Sequence, residues 1–514
     1  MTEYFKDWTA FHARMNPDAT ILREDETGRH FTYGTFVDRV GRLAAGLRAC
    51  GVAPGDRVAT LMLNSTDTFE IMFAAPRLHA LFLPMNWRLA IPELTEIVGQ
   101  AQPRILIYST EFSAQAQALA AAFPGLRLIQ ADRGAPSEYE TLATTGPMLP
   151  VPEDLDWNTT WTIIYTSGTT GKPKGALITY KMAFFNNTHA SWMARLSAQS
   201  VCASFLPTFH IGGLNAFPNP VLYNGGSVIV MPRFDAARLL ELMTNPALGG
   251  NRSWGVPTTF SFMAELPDFA DARFNDDCVM GTGGAPMPVS LLETYQAKGV
   301  TLLQGWGMTE TCSTGSILTE DRLVERIGSV GKPIISLQTR LVTKDGRDAE
   351  QGEVGEIWVK GPNVTPGYWN NPAADAANFE DGWFKTGDAM RQDEDGFLYM
   401  VDRWKDMYIS GGENVYPAEV ENVLCALPQV SQAAVIGIPD PRWGETGCAF
   451  LTLKAGAKID EAEVIAYCNT RLARYKLPRR VVVIDEMPLN ATGKMQKLVL
   501  AEMYQRDVAT RSLE

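Results

Sequence analysis

The densest group of chemically useful residues is the stretch TSGTTGKPKG at residues 166–175. Its glycines let backbone N–H groups approach a ligand closely, its hydroxyl groups can form hydrogen bonds, and its two lysines supply positive charge. These residue types together suit a polyphosphate. A Walker P-loop needs Gly-x-x-x-x-Gly-Lys-Ser/Thr at the start of a helix. Here only two residues separate Gly168 from Gly171, and Pro173 follows Lys172. The stretch is therefore a different phosphate loop, or else a Gly/Ser/Thr surface turn.

Two further stretches are rich in small residues, and the second also carries an aromatic ring and an acid. Residues 281–286 read GTGGAP, a small-residue turn against which a flat ring can lie, although an ordinary turn is the simpler explanation. Residues 304–310 read QGWGMTE. They combine an aromatic ring, a hydroxyl group and a carboxylate, as a site for an aromatic base beside a phosphate-bound Mg²⁺ would need. The alternative is a core strand that ends in a helix cap.

Three later stretches carry acids and lysines. Thr386-Gly387-Asp388 places an acid in a tight turn, where a carboxylate can accept hydrogen bonds from both ribose hydroxyl groups, although such turns are common. Residues 402–406 carry alternating acidic and basic side chains at the inferred domain boundary, a pattern that a solvated linker also shows. Residues 490–497 hold Lys494 directly after a glycine, and a lone surface lysine is usually only solvated.

The composition is that of a globular protein without a signal for export or membrane insertion. Hydrophobic residues make up 46% and charged residues 20% of the chain. The seven cysteines are scattered and never spaced as Cys-x-x-Cys, so we expect neither a disulfide framework nor a zinc site. The N-terminus has no apolar signal core, and no apolar run reaches membrane-spanning length. We expect a soluble, cytoplasmic protein with no transmembrane segment.

The net charge of −13 disfavours broad nucleic-acid binding, because no long basic run or stripe offsets it. We therefore expect no nucleic-acid partner. An anionic substrate must meet local positive charge.

The first 316 residues have the texture of an α/β fold. Thr32 can cap an amphipathic helix that ends near Gly51, and the residues on its apolar face repeat at helical spacing. A buried strand is predicted at residues 57–63, and similar apolar segments follow other helical stretches, for example at residues 104–108 and 226–230. The apolar runs at 161–165 and 176–179 predict strands on either side of the phosphate loop. That arrangement predicts α/β sheets covered by helices.

From residue 317 to residue 402 the pattern changes to short alternating strands and turns, which predicts a small antiparallel β subdomain. We place a domain boundary at residue 405, giving an N-terminal domain of residues 1–404 and a small, mobile α+β C-terminal domain of residues 405–514. In the latter we predict a helix from Pro417, strands at 432–438, 448–453 and 481–484, and a helix at 461–473.

Taken together, these stretches resemble the adenylate-forming superfamily, which comprises acyl-CoA synthetases, adenylation domains and luciferases. The resemblance covers essentially the whole chain, in motif order. Its most specific parts are residues 166–175, 304–310, 386–388, 403–417 and 490–497. Residues 403–417 and 467–478 look most like bacterial fatty-acyl-CoA synthetases. The resemblance implies that a carboxylic acid is joined to the α-phosphate of ATP and that the acyl group then passes to coenzyme A.

The resemblance also implies roles for individual residues. ATP phosphates would be held by Thr166, Ser167, Gly168, Thr169, Thr170, Gly171, Lys172 and Lys174. Adenine and ribose would contact Gly283, Gly284, Ala285, Gln304, Gly305, Trp306, Asp388 and Arg403. Glu310, with Thr166, would bind Mg²⁺, and the catalytic group would be Lys494, Glu310 and Thr309. Lys405 would be the hinge, and coenzyme A would meet Gly411, Gly412, Glu413 and Trp443. Relatives mostly carry tyrosine where this chain has Trp306.

The acyl pocket would be lined by His210, Gly281, Gly307 and Met308. His210 stands where amino-acid-activating relatives carry an aspartate, which argues against an amino acid. Gly307 stands where acetate-specific relatives carry a pocket-blocking tryptophan, so a larger acyl group is expected. The first hypothesis is a medium- or long-chain fatty acid, and aryl acids such as cinnamates are the alternative.

Other outcomes stay open at the level of sequence. The acyl acceptor could be a separate carrier protein, although no carrier domain follows the motifs. No residue excludes a luciferase-like oxygenase, whereas a non-catalytic nucleotide-binding module is disfavoured by Lys494 beside Glu310. The sequence leaves a homodimer open. A carboxylic acid is already ionised at neutral pH, so its attack on ATP needs no general base, which suits a chain with only five histidines.

Overall fold

The structure is a computed structural model that describes residues 7–166, 173–283, 287–319, 322–323, 325–404, 406–410, 413–489 and 495–511. For Arg403, Asn414 and residues 507–511 it describes the backbone alone. Its contacts divide the chain into two compact units. The first holds Met1–Gln338 with Val359–Phe384, and the second holds Thr339–Trp358 with Lys385–Glu514.

The strands of the described residues, in chain order, are β1 (Thr20–Glu24), β2 (His30–Thr32), β3 (Arg57–Leu61), β4 (Leu81–Pro84), β5 (Ile105–Tyr108), β6 (Arg127–Gln130), β7 (Thr160–Thr166), β8 (Lys174–Thr179), β9 (Val201–Ser204), β10 (Ser227–Val230), β11 (Arg252–Gly255), β12 (Val279–Thr282), β13 (Thr301–Trp306), β14 (Ser316–Leu318), β15 (Lys332–Pro333), β16 (Gln338–Val342), β17 (Gly355–Lys360), β18 (Phe379–Glu380), β19 (Trp383–Gln392), β20 (Leu398–Arg403), β21 (Tyr408–Ser410), β22 (Glu413–Val415), β23 (Val430–Asp440), β24 (Gly444–Leu453) and β25 (Pro478–Val483).

The α-helices of the same residues are α1 (Trp8–Met15), α2 (Tyr33–Ala49), α3 (Thr66–Ala74), α4 (Ile91–Ala101), α5 (Ser113–Ala122), α6 (Glu138–Thr144), α7 (Tyr180–Met193), α8 (Ile211–Asn215), α9 (Pro218–Tyr223), α10 (Ala236–Thr244), α11 (Pro257–Ala264), α12 (Val289–Gln296), α13 (Pro372–Asn378), α14 (Pro417–Cys425), α15 (Glu461–Asn469) and α16 (Lys497–Arg511).

The first unit is built on two sheets. A six-stranded sheet has the order β6-β5-β3-β4-β7-β8, and its strands are parallel except for the antiparallel pair β7 and β8. A nine-stranded sheet has the order β15-β14-β13-β12-β11-β9-β10-β1-β2, with a parallel block from β13 to β1. Apolar residues of both sheets join one buried core together with α2 and α3. The predicted α/β class is therefore confirmed.

Helix α2 shows how local sequence sets one of these elements. The Thr32 side chain accepts a hydrogen bond from the Thr35 backbone N–H, which satisfies an otherwise unpaired donor at the helix start. Phe36, Val40 and Leu43 are fully buried in the core, as their helical spacing predicts.

Strands β16 to β20 form a separate five-stranded sheet, in the order β16-β17-β19-β18 with β20 on β19. The β18–β19 and β19–β20 pairs are antiparallel. This sheet lies within the region predicted as an antiparallel subdomain, but the prediction began too early, because β14 and β15 belong to the nine-stranded sheet. In the second unit, β21 to β25 form a C-terminal sheet in the order β22-β21-β24-β23, and β25 pairs parallel to β24. The predicted helix from Pro417 is α14, and the predicted strands at 432–438 and 448–453 lie within β23 and β24. This C-terminal part is α+β, as predicted.

Two local predictions were wrong. Thr386-Gly387-Asp388 is not a tight turn but lies inside the ten-residue strand β19, where Gly387 takes a φ of +71°. Gly281 and Thr282 belong to strand β12 and not to a turn. Glycine is common in turns, but here each glycine instead permits a strand irregularity or a close contact.

A buried ionic cluster joins β1 to α2 and α3. Arg29 pairs with Asp67, and Arg39 pairs with Glu70 at 2.5 Å. Glu24 is only 1% exposed and accepts a hydrogen bond from the Thr27 hydroxyl at 3.0 Å. Burial, reinforced by the negative charge of Asp67, raises the pKa of Glu24 to about 7.

This raised pKa predicts how stability changes with pH. Because Glu24 holds its proton in the folded state but not in the unfolded state between about pH 4.5 and pH 7, stability falls as pH rises through that window. Glu24→Gln keeps a neutral side chain, so we expect it to be more stable than wild type at about pH 8, by up to about 3 kcal/mol. The two proteins should converge at about pH 5.

Thermal unfolding of both proteins across this pH range measures the effect. The exposed Glu293, changed to glutamine, is the matched control and should leave the pH profile unchanged. A Glu24→Gln protein whose stability parallels that of wild type at every pH would contradict the prediction.

Candidate active site

The phosphate loop joins an antiparallel hairpin in the six-stranded sheet. Strands β7 and β8 flank it as predicted, and Thr166 and Lys174 are the pair nearest the loop. The Thr166 hydroxyl donates to the Lys174 carbonyl oxygen at 3.4 Å. The hairpin therefore holds these two predicted phosphate ligands side by side. The other predicted loop ligands, Ser167, Gly168, Thr169, Thr170, Gly171 and Lys172, lie outside the described residues.

A distant segment, residues 365–369, binds this hairpin through its backbone. The Trp369 N–H donates to the Gly175 carbonyl at 2.7 Å, and the Leu177 N–H donates to the Gly367 carbonyl at 3.1 Å. The Thr365 N–H donates to the carbonyl of Glu310 at 2.8 Å. The segment thus fastens strand β8 to the predicted metal ligand.

Tyr368 in this segment connects the functional side chains. Its hydroxyl donates to Glu310 Oε1 at 2.8 Å, and the Lys174 ammonium lies 5.4 Å from the centre of its ring. Burial, together with the negative charge of Glu310, raises the pKa of Tyr368, so the hydroxyl keeps its proton and donates. A lysine and a buried carboxylate are therefore held on one aromatic ring. Sequence reasoning missed Tyr368, because no motif surrounds it.

Glu310 follows β13 in a short 3₁₀ turn, Thr309–Thr311, whose residues are all buried. The Asn363 side-chain amide fixes this turn by donating to the Thr311 carbonyl at 3.1 Å and to the Thr314 carbonyl at 3.0 Å. The alternative prediction for this stretch was a core strand that ends in a helix cap. The structure shows strand β13 followed by the 3₁₀ turn, and this turn holds Glu310 in a buried position.

Gly307 is small for a packing reason. A β-carbon at this position would lie 1.9 Å from the Ser313 carbonyl oxygen. The turn can close only if residue 307 has no side chain. Gly307 therefore gives no information about the width of an acyl pocket, although its neighbour Met308 stays a predicted pocket residue.

Residues predicted around adenine lie in the core at the end of β13. The Gln304 side chain is 2% exposed and donates to the Ser329 carbonyl at 3.2 Å. A β-carbon at Gly305 would lie 2.9 Å from the Ser316 carbonyl oxygen. The Trp306 ring is 8% exposed and lies against Gly315. Gly283 follows the neighbouring strand β12, and Gly284 and Ala285 lie outside the described residues.

His210 caps helix α8, where its Nδ1 accepts from the Gly212 N–H at 3.5 Å. The preceding residue, Phe209, meets Trp87 edge to face at 6.2 Å. Two guanidinium groups lie over the Trp87 ring, that of Arg88 at 4.7 Å and that of Arg233 at 6.0 Å. Burial, with the like charge of Arg233, lowers the pKa of Arg88. Sequence reasoning missed this cationic pair, whose members are 145 positions apart by their numbering.

In the second unit, the two residues predicted to bind ribose meet across a strand pair. Asp388 on β19 is the direct Cα partner of Arg403 on β20. The Asp388 N–H donates to the Thr386 hydroxyl at 3.1 Å, and its side chain is buried at 2% exposure. The strand pairing, and not a turn, brings these residues together.

Of the residues predicted to contact coenzyme A, the structure describes Glu413, which is exposed at the start of β22, and Trp443. Trp443 lies between β23 and β24, and its backbone N–H donates to Asp440 Oδ1 at 2.8 Å. The guanidinium groups of Arg442 and Arg479 lie 5.7 Å and 5.4 Å from its ring. Gly411, Gly412 and the predicted hinge Lys405 lie outside the described residues.

The predicted catalytic Lys494 also lies outside the described residues, but both flanks of its segment are anchored. Leu489 and Met495 form a backbone bridge, and the Gln496 N–H donates to the Pro488 carbonyl at 2.8 Å. Lys497 then pairs with Glu421 at 2.8 Å. Burial lowers the pKa of Lys497, but the negative charges around it outweigh burial and the net shift is upward.

The donor atoms suit a hard cation. Magnesium is usually held by one or two carboxylates together with substrate phosphates and water. Glu310 supplies a buried carboxylate and Thr166 a hydroxyl group, so the residue types fit the predicted Mg²⁺. Within the described part of the chain, no three His, Cys, Asp or Glu side chains cluster as an all-protein metal site.

Comparison with known proteins identifies the family to which this chain belongs. Residues 10–369 match the family described as AMP-binding enzyme, and residues 419–494 match the AMP-binding enzyme C-terminal domain. No helix among the described residues combines the length and the apolar character needed to cross a membrane.

Among curated relatives, a feruloyl-CoA synthase of Amycolatopsis sp is 39% identical over 95% of this chain and 97% of its own. An indoleacetate–CoA ligase of Aromatoleum aromaticum is 37% identical over 96% of both chains. The long-chain-fatty-acid–CoA ligase FadD13 of Mycobacterium tuberculosis is 36% identical over 96% of this chain and 97% of its own.

Solved structures agree with the fold. ATP-bound MatB from Rhodopseudomonas palustris superposes with a TM-score of 0.87 at 31% identity, covering 96% of this chain and 99% of that one. An O-succinylbenzoate coenzyme A synthetase from Bacillus subtilis, in complex with ATP and magnesium ion, gives a TM-score of 0.85 at 31% identity, covering 95% and 98%.

Proposed function

The chain belongs to the AMP-binding enzyme family and is an AMP-forming acid–CoA ligase, and from that premise we propose that it activates a compact, ring-bearing carboxylic acid. The other reactants would be ATP and coenzyme A, with Mg²⁺ as the cofactor, and the reaction would take place in the cytoplasm. The observation that carries the site assignment is the Tyr368 ring, which joins Lys174 to the buried carboxylate of Glu310.

The first half-reaction forms a mixed anhydride. One carboxylate oxygen of the acid attacks the α-phosphorus of ATP, and pyrophosphate leaves with the electron pair of the broken P–O bond. No proton needs to be removed, because the acid is already ionised. The protein must instead bring two anions together and stabilise the growing charge on the phosphates by positioned cations.

The phosphate loop, with Thr166 and Lys174 at its two ends, would hold the β- and γ-phosphates. Glu310 and Thr166 would hold Mg²⁺, which when bound neutralises charge on the phosphates. Tyr368 would orient the Glu310 carboxylate by donating to its Oε1 at 2.8 Å. Thr309, adjacent to Glu310, belongs to the same buried turn.

The second half-reaction transfers the acyl group to sulfur. The thiol of coenzyme A attacks the acyl carbon, AMP leaves with its phosphate oxygen, and the thiol proton is released to solvent. We propose that residues 405–514 act as a mobile domain hinged at Lys405. Asp388 and Arg403 would bind ribose, and Lys494 would contact the carboxylate and the α-phosphate during adenylation.

The nucleotide end of coenzyme A is anionic and carries an adenine ring. Trp443 with Arg442 and Arg479 offers an aromatic face flanked by two cations, a combination that suits adenine and phosphate together. We assign the Trp443 cluster to the nucleotide end of coenzyme A, and Gly411, Gly412 and Glu413 to the pantetheine arm.

The choice of a ring-bearing acid rests on two points. The relatives named for feruloyl-CoA and for indoleacetate act on aromatic acids, and both match almost the whole chain. The expectation of a fatty acid rested on Gly307 and on the overall resemblance, and the Ser313 carbonyl oxygen supplies a packing reason for that glycine. A fatty acid is the second candidate, because the relative named as a long-chain-fatty-acid ligase matches nearly as well.

A panel of acids with ATP and coenzyme A tests the function. We expect thioester formation, with kcat/KM about tenfold or more higher on hydroxycinnamic and arylacetic acids than on any acid from hexanoate to palmitate, since that ratio corresponds to roughly 1.4 kcal/mol in the transition state. A higher kcat/KM on the aliphatic acids would favour the fatty-acid candidate. Adenylate formation without transfer to free coenzyme A would point to a carrier protein as acceptor.

Lys494→Ala separates the two half-reactions. We expect pyrophosphate release to fall by about 100-fold or more, because a cation on the developing charge is lost. Conversion of a pre-made acyl-adenylate by coenzyme A should stay within about threefold of wild type, since the assigned contact serves the first step. Lys497→Arg, which keeps the buried charge, is the matched control. An equal loss in both half-reactions would contradict the role given to Lys494.

A further inference from the structure

Residues 365–369 run beside β8, the last strand of the six-stranded sheet, and Tyr368 is the antiparallel bridge partner of Ala176. The Gly367 carbonyl and the Trp369 N–H form the hydrogen bonds with β8. Because the backbone groups of an extended segment point alternately to its two sides, the N–H and the carbonyl of Tyr368 itself point away from β8. A buried backbone N–H without a partner is costly, so these two groups need partners on the outer side of the segment.

Asp375 supplies the partner of the outward N–H. Its Oδ1 accepts from the Tyr368 N–H at 2.8 Å. The same carboxylate lies directly against Gly367, where a β-carbon would be 2.8 Å from Oδ1 and 3.0 Å from Oδ2. Gly367 also takes a φ of +149°, which favours glycine. The Asp375 carboxylate is therefore seated against the backbone of two consecutive residues, in space that a side chain at residue 367 would fill.

Helix α13 holds Asp375 in this place. Asp375 lies in its first turn, and its own N–H donates to the Asn371 carbonyl at 3.1 Å. The Asn371 side chain caps the helix by accepting from the Ala374 N–H at 3.0 Å. The Asn371 N–H donates to the Tyr368 carbonyl at 3.3 Å. Both outward backbone groups of Tyr368 are thus bound by the start of α13, one of them through the Asp375 side chain.

This backbone contact bears on the chemistry because the Tyr368 hydroxyl donates to Glu310 Oε1 at 2.8 Å. Hydrogen bonds weaken steeply with distance, so a backbone shift of about 0.5 Å at Tyr368 is enough to weaken the contact. Burial raises the pKa of Tyr368, and the negative charges of Glu310 and Asp375 add to that effect. Asp375 therefore favours both the place of the hydroxyl group and its protonated, donating form.

We infer that Asp375 is a positioning residue for the first half-reaction, because it fixes the backbone from which the Tyr368 hydroxyl orients Glu310 for Mg²⁺. The inference rests on the proposed function. Asp375 would contact neither substrate nor metal, and its effect on the reaction would pass through one hydroxyl group.

The test is a double-mutant cycle of Asp375→Ala and Tyr368→Phe. Acid-dependent ATP–pyrophosphate exchange is measured at several Mg²⁺ concentrations, and conversion of a pre-made acyl-adenylate by coenzyme A is measured separately. We expect Asp375→Ala to lower exchange by about tenfold at limiting Mg²⁺ and to raise the Mg²⁺ requirement, because the hydroxyl group is no longer held in place. The thiol step should stay within about threefold of wild type. In the Tyr368→Phe background, Asp375→Ala should lower exchange by less than about a further twofold.

Two variants serve as comparisons. Asp375→Asn keeps an oxygen that can accept the same N–H, so exchange should stay within about threefold of wild type. Asp235→Ala is the matched control, since Asp235 Oδ1 also accepts a backbone N–H at 2.8 Å, that of Arg238 at the start of α10. It should leave both half-reactions near wild type.

A purely structural role of Asp375 would lower both half-reactions by one common factor, and the losses from Asp375→Ala and Tyr368→Phe would multiply. Either result would overturn the inference, as would unchanged exchange in Asp375→Ala. If Asp375→Ala does not fold, Asp375→Glu is subject to the same criteria, because the longer acid does not fit the space against Gly367. A wild-type protein without acid-dependent exchange contradicts the proposed function itself, whereas failure of the cycle in an active enzyme contradicts only the role of Asp375.

Discussion

The burial of the Glu310 carboxyl group is the constraint on which the packing around the candidate site depends. Glu310 lies at 6% exposure, where an ionised acid without hydrogen bonds would be unstable. The Tyr368 hydroxyl satisfies one of its oxygens, and the positive charge of Lys174 lies over the same tyrosine ring. Holding Tyr368 there requires residues 365–369 to pair with β8 and with the backbone of Glu310. The hairpin, the 3₁₀ turn and this segment are therefore one structural unit.

Close backbone packing explains several small residues that could be mistaken for functional openings. Gly307 lets the turn after β13 close on the Ser313 carbonyl, and Gly281 lets the Trp254 indole lie on β12. In both cases the missing side chain is replaced by protein atoms and not by a cavity. Inferring pocket width from the smallness of a residue is therefore unsafe where strands end against turns, because neighbouring backbone competes with substrate for the same space.

Most of the fold follows from local sequence, whereas the site was only partly predictable. The cap at Thr32 with its apolar face, and the strands flanking residues 166–175, are set by short-range patterns, and the structure has them where predicted. Asp388 pairs with Arg403 across two strands, and the turn expected at Asp388 is a strand. Composition alone cannot separate a turn glycine from a bulge glycine such as Gly387. Tyr368 makes its contacts with residues distant in the chain, and no local pattern marks such contacts.

Tyr368→Phe removes only the hydroxyl group that donates to Glu310, and it is the most direct test of the proposal that Tyr368 orients a carboxylate that would bind Mg²⁺. Acid-dependent ATP–pyrophosphate exchange is measured at several Mg²⁺ concentrations. Tyr399→Phe is the matched control, because Tyr399 in β20 also donates its hydroxyl group to a carboxylate, that of Asp393 in the preceding turn. Since a hydrogen bond to a charged group contributes about 1.5–3 kcal/mol, Tyr368→Phe should lower exchange by about tenfold to 100-fold and raise the Mg²⁺ requirement. Tyr399→Phe should stay near wild type. Equal behaviour of the two variants would contradict the account.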